Sequence, residues 1–282
     1  MPLTAQDIIV KAELIREDVI TMLVEAGSGH SAGALGLADV FAALYFGVLH
    51  FDPKHPLWED RDRLVLSNGH VCPVLYATLA EAGFFPKTEL NTLRKLGSRL
   101  QGHPVLRALP GVENSSGSLG QGISFACGLA LAAKLKHKAH HVYCVMGDGE
   151  QDEGQVWEAY AFASAHKLHN LTVIIDRNTI QSEGFTEDIL PLEPFGAKLT
   201  AFGWHVIEVD GHNIEAIITA CKEAQTQSQR EQPVAIIAHT IPGKGVKFME
   251  GKPAWHAKAP NVQEAKEALH ELRTLQGKIA YE

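Results

Sequence analysis

Two side chains in this sequence have the types and spacing for one piece of chemistry: Asp148, set between Gly147 and Gly149, and Asn178, two residues after Asp176. A carboxylate and an amide oxygen are hard donors of the kind Mg²⁺ or Ca²⁺ takes, and flanking glycines let a diphosphate approach the backbone. Each lies just past an apolar, β-rich run, Val142 to Met146 and Leu171 to Ile175, with a helical stretch between. That is a βαβ unit. In a parallel sheet ligands bind beyond the carboxyl ends of the strands, so the two residues should stand side by side at that edge. A Gly-Asp-Gly tripeptide alone is ordinary turn chemistry, and Asn178 alone reads equally as a cap. Their pairing after consecutive strands suggests a metal-diphosphate anchor.

The elements that must position this pair are legible as a strand–helix alternation. Residues 5–26 place Ile8, Ile9, Ala12, Ile15, Val19, Met22 and Leu23 on one helical face, with Thr4 as N-cap and Gly27-Ser28-Gly29 as the stop. A largely apolar, hence buried, helix is expected near 36–46, then a proline-punctuated surface loop, a short strand at 64–66, and helices at 73–82 and 87–96. The stretch 102–123 carries five glycines, Gly102, Gly111, Gly117, Gly120 and Gly122, and little helix or strand signal. A loop of that length and composition reads as functional. An alanine-rich helix follows at 124–135. Beyond the central unit come buried strands at 204–209 and 234–238 with a helix at 213–226 between them, and a polar amphipathic helix at 261–276. The alternation predicts an α/β fold, a parallel sheet with helices on both faces.

Bulk properties narrow the classes. At 282 residues the chain lies near the upper size of a single core. A net charge of −8 with acids and bases interspersed argues against nucleic acid as a partner. Cys72, Cys127, Cys144 and Cys221 are scattered without a CxxC, which argues against disulfides and zinc. The N-terminus carries acids from Asp7 onward, and no segment offers the apolar run of about 18 residues that a membrane span needs. A cytoplasmic protein with no membrane partner is expected.

The Gly-Asp-Gly, followed by Glu153-Gly154, Trp157-Glu158-Ala159 and Asp-x-Asn after a strand, resembles the thiamine diphosphate signature of transketolases. The resemblance covers nearly the whole chain. It includes Gly29-His30, Phe51-Asp52-Pro53 with Arg61-Asp62-Arg63, Ser67-Asn68-Gly69-His70, Leu100-Gln101-Gly102-His103-Pro104, Gly117-Ser118-Leu119-Gly120-Gln121-Gly122, Val209-Asp210-Gly211-His212 and Trp255-His256. It implies a thiamine diphosphate-binding fold, with a diphosphate-binding domain over 1–260 and a helical tail, 261–282, directed toward a partner subunit.

The resemblance also assigns residues. Asp148, Asn178 and the Ile180 carbonyl would hold Mg²⁺ (or Ca²⁺), with Gly147 and Gly149 against the diphosphate. His70 and His256 would point donors at diphosphate oxygens, and Gly117, Ser118 and Leu119 would line the thiamine rings. Catalytic roles fall to His30, His103 and His256, facing substrate hydroxyls, which suits imidazole with its ordinary pKa of about 6.5. Glu153 has two readings: solvent-facing helix surface, or a place near the subunit contact and cofactor relay. Leu119, Ile123 and Ile180 read also as plain core, and Lys244 and Lys247 either close over the diphosphate or stay solvated. Two departures stand out, Ser31-Ala32 after His30 where many relatives have proline and glycine, and Asn68 where lysine or alanine is usual.

The implied activity is transfer of a two-carbon ketol unit from a ketose phosphate to an aldose acceptor, a reaction of pentose phosphate carbohydrate metabolism. The family's activating glutamate, aromatic clamp and sugar-phosphate arginines belong to a pyrimidine-binding domain that is not in this sequence. The resemblance therefore implies half an active site, completed by a C-terminal transketolase subunit in an α2β2 heterotetramer acting on sugar phosphates. The alternatives are a 1-deoxyxylulose-5-phosphate synthase-like enzyme, a non-catalytic regulatory subunit that binds thiamine diphosphate, and a histidine-built metal hydrolase.

Overall fold

The computed structural model describes residues 3–226 and 231–279. Five strands form its centre: β1 (Arg63–Leu66), β2 (Val142–Gly147), β3 (Leu171–Arg177), β6 (His205–Asp210) and β7 (Val234–His239). They pair as an all-parallel sheet in the order β1-β2-β3-β7-β6. Strand alternation sends side chains to two separate cores. Leu64, Leu66, Tyr143, Val145, Ile174, Val234 and Ile236 face one core, packed by α1 (Ala5–Ala26), α3 (Ala38–Ala43), α4 (Cys72–Glu81), α9 (Ile214–Gln225) and α10 (Val262–Ile279). Val65, Val142, Cys144, Met146, Val173, Ile175 and Ile237 face the other, under α5 (Gly122–Leu135), α6 (Gly154–Ala165) and α8 (Phe195–Ala201). The sheet thus carries helices on both faces, as expected. All four cysteines are free and buried.

Local signals decide where the elements stop. Thr4 caps α1 through a reciprocal capping box with Asp7, and Gly27, at φ 64°, ends it in the left-handed conformation that costs glycine little. Asn213 caps α9 by accepting from the Ala216 N–H at 3.0 Å. At the carboxyl edge of the sheet Gly147 pairs with Asp176, which sets the turn after β2 beside the turn after β3. That register brings Asp148 next to Asn178.

Several elements differ from the sequence reading. The helix expected at 87–96 is only a 3₁₀ turn, Lys87–Thr92; Arg94 takes φ 60° and donates its N–H to the Leu100 carbonyl at 2.8 Å, which folds the chain back. The apolar helix near 36–46 begins earlier, as α2 (Ala32–Gly36), breaks at Leu37, continues as α3 and ends in a π-helical turn, Leu44–Val48. β6, expected to be buried, is an edge strand of mostly half-buried residues, whose Glu208 pairs with His239 of β7. Between β3 and β6 the sequence reading placed nothing, yet the chain forms a small hairpin, β4 (Ile180–Gln181) with β5 (Gly184–Phe185), then α7 (Thr186–Ile189) and α8.

Candidate functional site

A cavity of about 250 Å³ opens at the carboxyl edge of the sheet. His70, Leu119, Gly147, Asp148, Gly149, Glu153, Asn178, Ile180 and His256 all line it, as do Asn68, Asp176 and Gln181. A larger hollow of about 710 Å³, formed by Asp52, His55, Pro56, Leu57 and Trp58, shares none of these residues. It offers one exposed Asp–His pair and no converging polar groups, so the smaller cavity is the candidate site.

Asp148 is 1% exposed, and both its oxygens are held. Oδ1 accepts from the Gly149 N–H at 2.8 Å; Oδ2 accepts from the Thr179 N–H at 2.6 Å and from Arg177 Nη1 at 3.0 Å. Burial nevertheless pushes its carboxyl up to about 6 against those hydrogen bonds. Asp176, equally buried, is pushed to about 7, by burial first and by the Asp148 charge, while Thr240 and Asn178 pull the other way. The Asn178 amide is fixed at both ends: Nδ2 donates to Asp176 Oδ2 at 2.7 Å and Oδ1 accepts from the Ile180 N–H at 3.0 Å. Buried carboxyls raised in this way are returned to anions by a dication set against them.

Three histidines from distant segments converge here, His70 and His256 in the cavity wall and His30 against them. The His30 and His70 ring centroids lie 5.0 Å apart, His70 and His256 5.2 Å, and His30 and His256 5.9 Å. Ser31 ties the His30 and His256 segments together, its buried hydroxyl donating to the Lys258 carbonyl at 2.7 Å and to the Trp255 carbonyl at 3.3 Å. Burial, assisted by neighbouring charges, pushes His30 down to about 4 and His70 to about 3; His256 and His103 are lowered also, by burial first. His103 stands against Gly117, where an added Cβ would come 3.7 Å from its ring.

Not every expected residue lines the cavity. Gly117 and Ser118 are exposed and lie outside its wall, as do His30 and His103, which stand beyond its rim. Lys244 and Lys247 do not reach it; the Lys247 N–H is held by Glu271 at 2.6 Å. The Gly149 N–H, expected to face a diphosphate, donates to Asp148. Glu153 is exposed at the rim, next to Gln155. Ile123 is core, and Ile180 is both buried and part of the wall.

The sequence reading passed over Glu150 and Arg177. Glu150 is 2% exposed and gathers three segments: Oε1 accepts from the Gly120 N–H at 2.7 Å and Ser67 Oγ at 2.5 Å, Oε2 from the Gly147 N–H at 3.1 Å. An acid directly after Gly-Asp-Gly was the available signal, but its burial is not readable from sequence. Arg177 is 5% exposed and surrounded by Asp148, Glu187 and Glu193.

The donor set suits a metal and a diphosphate. Carboxylate, amide and carbonyl oxygens are what a hard dication takes. Two buried polar atoms, Asn68 Oδ1 in the wall and His30 Nδ1 just beyond it, have no hydrogen-bond partner, which is what a site built for a polar ligand presents. At Gly147 an added Cβ would meet nothing nearer than 3.9 Å, so the backbone there is open to a ligand.

Residues 7–274 match the family described as transketolase, thiamine diphosphate binding domain. This chain belongs to the transketolase family. It is 44% identical to the 6-deoxy-6-sulfo-D-fructose transketolase subunit of Clostridium sp., over 93% of this chain and 94% of that subunit. It is 39% identical to an apulose-4-phosphate transketolase subunit of Phocaeicola vulgatus, over 93% of this chain and 92% of that one. Against the crystal structure of Campylobacter jejuni transketolase the TM-score is 0.89 at 34% identity, covering 96% of this chain and 43% of that enzyme. This transketolase chain thus matches separate subunits almost end to end and spans under half of the single-chain enzyme. The fold is the α/β thiamine diphosphate-binding fold, and thiamine diphosphate is its cofactor.

Proposed function

We propose that the chain is the N-terminal subunit of a split transketolase that uses thiamine diphosphate and Mg²⁺ to move a two-carbon ketol unit from a ketose phosphate to an aldose acceptor. The observation that carries the reading is the cavity itself, lined by buried oxygen donors and by the imidazoles of His70 and His256, with His30 packed against both rings. Asp148, Asn178 and the Ile180 carbonyl would hold the metal, and His70 and His256 the diphosphate. Bound thiamine diphosphate supplies an electron sink for the carbanion formed when a carbon–carbon bond breaks. The chain's own part is to orient and to move protons. His30 and His256, held neutral, accept a hydroxyl proton from the sugar, and His103 directs the donor's terminal hydroxyl.

The same reading requires a second subunit carrying the pyrimidine-binding domain. An unpartnered apolar face supports it: Phe125, Gly128, Ala132 and Leu135 on α5 and Ala161, Phe162 and Ala165 on α6 are all exposed. Those helices begin at Gly122 and Gly154, beside the Leu119 and Glu153 wall of the cavity, so a subunit seated there also covers the cofactor. The expected boundary would make 1–260 the diphosphate-binding domain and 261–282 a tail toward a partner in an α2β2 assembly; α10 itself packs Ala265, Ala268 and Leu272 into the core shared with α1, and 280–282 lie outside the described residues. A cytoplasmic place in carbohydrate metabolism accords with this; among the described residues no helix is long and apolar enough to cross a membrane.

The test is Asp148→Ala in the assembled enzyme. Loss of Mg²⁺-dependent turnover is expected, and retained turnover refutes the metal assignment. A wild-type complex that binds thiamine diphosphate and catalyses nothing would point to a regulatory subunit instead.

A further inference from the structure

Arg177 is the last residue of β3, and its buried guanidinium meets the carboxylate of Asp148. Nη1 donates to Asp148 Oδ2 at 3.0 Å and to Thr186 Oγ1 at 2.8 Å; Nη2 donates to Glu187 Oε1 at 2.6 Å and Glu193 Oε1 at 2.9 Å. Those two glutamates also hold backbone, Glu187 the Leu192 N–H at 3.2 Å and Glu193 the Phe195 N–H at 2.7 Å. One side chain therefore joins Asp148 to the hairpin exit and to the start of α8.

We propose that Arg177 is a positioning residue for the metal-holding carboxylate, fixing the plane of Asp148 and tying it to residues 186–195. This rests on the reading of Asp148 as a metal ligand. A guanidinium is a rigid planar fork, so donors fixed on one edge by Glu187 and Glu193 fix the donor on the other. A cation beside a dication site works against binding by charge alone. Here three carboxylates surround the one guanidinium, and the group as a whole stays anionic. Orientation therefore outweighs repulsion, and the outer partners of metal ligands commonly set affinity in this way.

The experiment is the Mg²⁺ dependence of thiamine diphosphate binding, measured calorimetrically on the complex with its partner subunit. In Arg177→Gln the apparent Mg²⁺ affinity is expected to fall roughly 10- to 100-fold, with Arg177→Lys recovering part of the loss. A folded Arg177→Gln with unchanged or tighter Mg²⁺ affinity overturns the proposal, tighter being what relief of repulsion would give. Should Arg177→Gln fail to fold, the Glu187→Ala/Glu193→Ala double variant decides. Its side chains are 40% and 56% exposed and touch no proposed ligand; a Mg²⁺ affinity weakened by the same factor at low and at high ionic strength supports the proposal, while an unchanged affinity, or a loss that salt screens away as a pure charge effect would be, overturns it. Wild-type binding that ignores Mg²⁺ overturns the metal reading itself, a result distinct from a Mg²⁺-dependent wild type with indifferent variants.

Discussion

The histidines of the site are held as neutral imidazoles by burial, and this fixes both their chemistry and their pH dependence. With His30 pushed down to about 4 and His70 to about 3, neither should titrate between pH 5 and 8 in the cofactor-free protein. Histidine NMR checks this, and a midpoint near 6.5 for either ring would contradict it. The sign for stability follows. The folded values lie below the unfolded one, so the unfolded chain binds more protons once pH falls under about 6.5. The contribution of these two rings is whole above that pH and is lost as pH falls from there toward 4 and then 3, which denaturation at graded pH would register as a falling midpoint.

At the scale of elements, the site is assembled by polar side chains that join strand ends to loops, and Glu150 joins three segments at once. Its carboxylate is the acceptor for Gly120, Gly147 and Ser67 and lets the glycine-rich loop enter α5 beside β1. Glu150→Ala strands those donors in a buried site, at a cost on the order of 2–3 kcal/mol, readable by chemical denaturation. A change under about 0.5 kcal/mol, the level of an ordinary surface substitution, would show that the junction does not depend on it. The alternation of apolar runs made the sheet and the Asp148–Asn178 pairing legible in the sequence, because strand period and the βαβ connection leave few arrangements. Where backbone conformation turns on one residue the sequence was silent: nothing marks Arg94 as left-handed, and the helix expected at 87–96 fails there. The hairpin and short helices at 180–201 were equally hidden: Arg177 holds Thr186, Glu187 and Glu193 by hydrogen bonds, and α8, only seven residues long, is too short to show a hydrophobic period. Glu150 and Arg177 read as surface charges until the fold buries them. His30, His70 and His256 were readable only through the family resemblance, because they come from three separate loops.

For the molecule as a whole, the cavity adjoins the exposed apolar face of α5 and α6, and the proposed partner would cover both. Phe125→Glu/Phe162→Glu places two charges on that face while leaving the core untouched, as both rings are 40% exposed. The variant is expected to keep its fold by circular dichroism and to lose the partner on co-purification; retention of the partner would remove this face from the interface. The most direct measurement is purification of the tagged wild-type chain from its own cells, followed by a ketol-transfer assay with and without thiamine diphosphate and a chelator. The account predicts a second chain in equal amount and transfer that needs both cofactor and Mg²⁺. Recovery of this chain alone, binding cofactor yet inert, would contradict it.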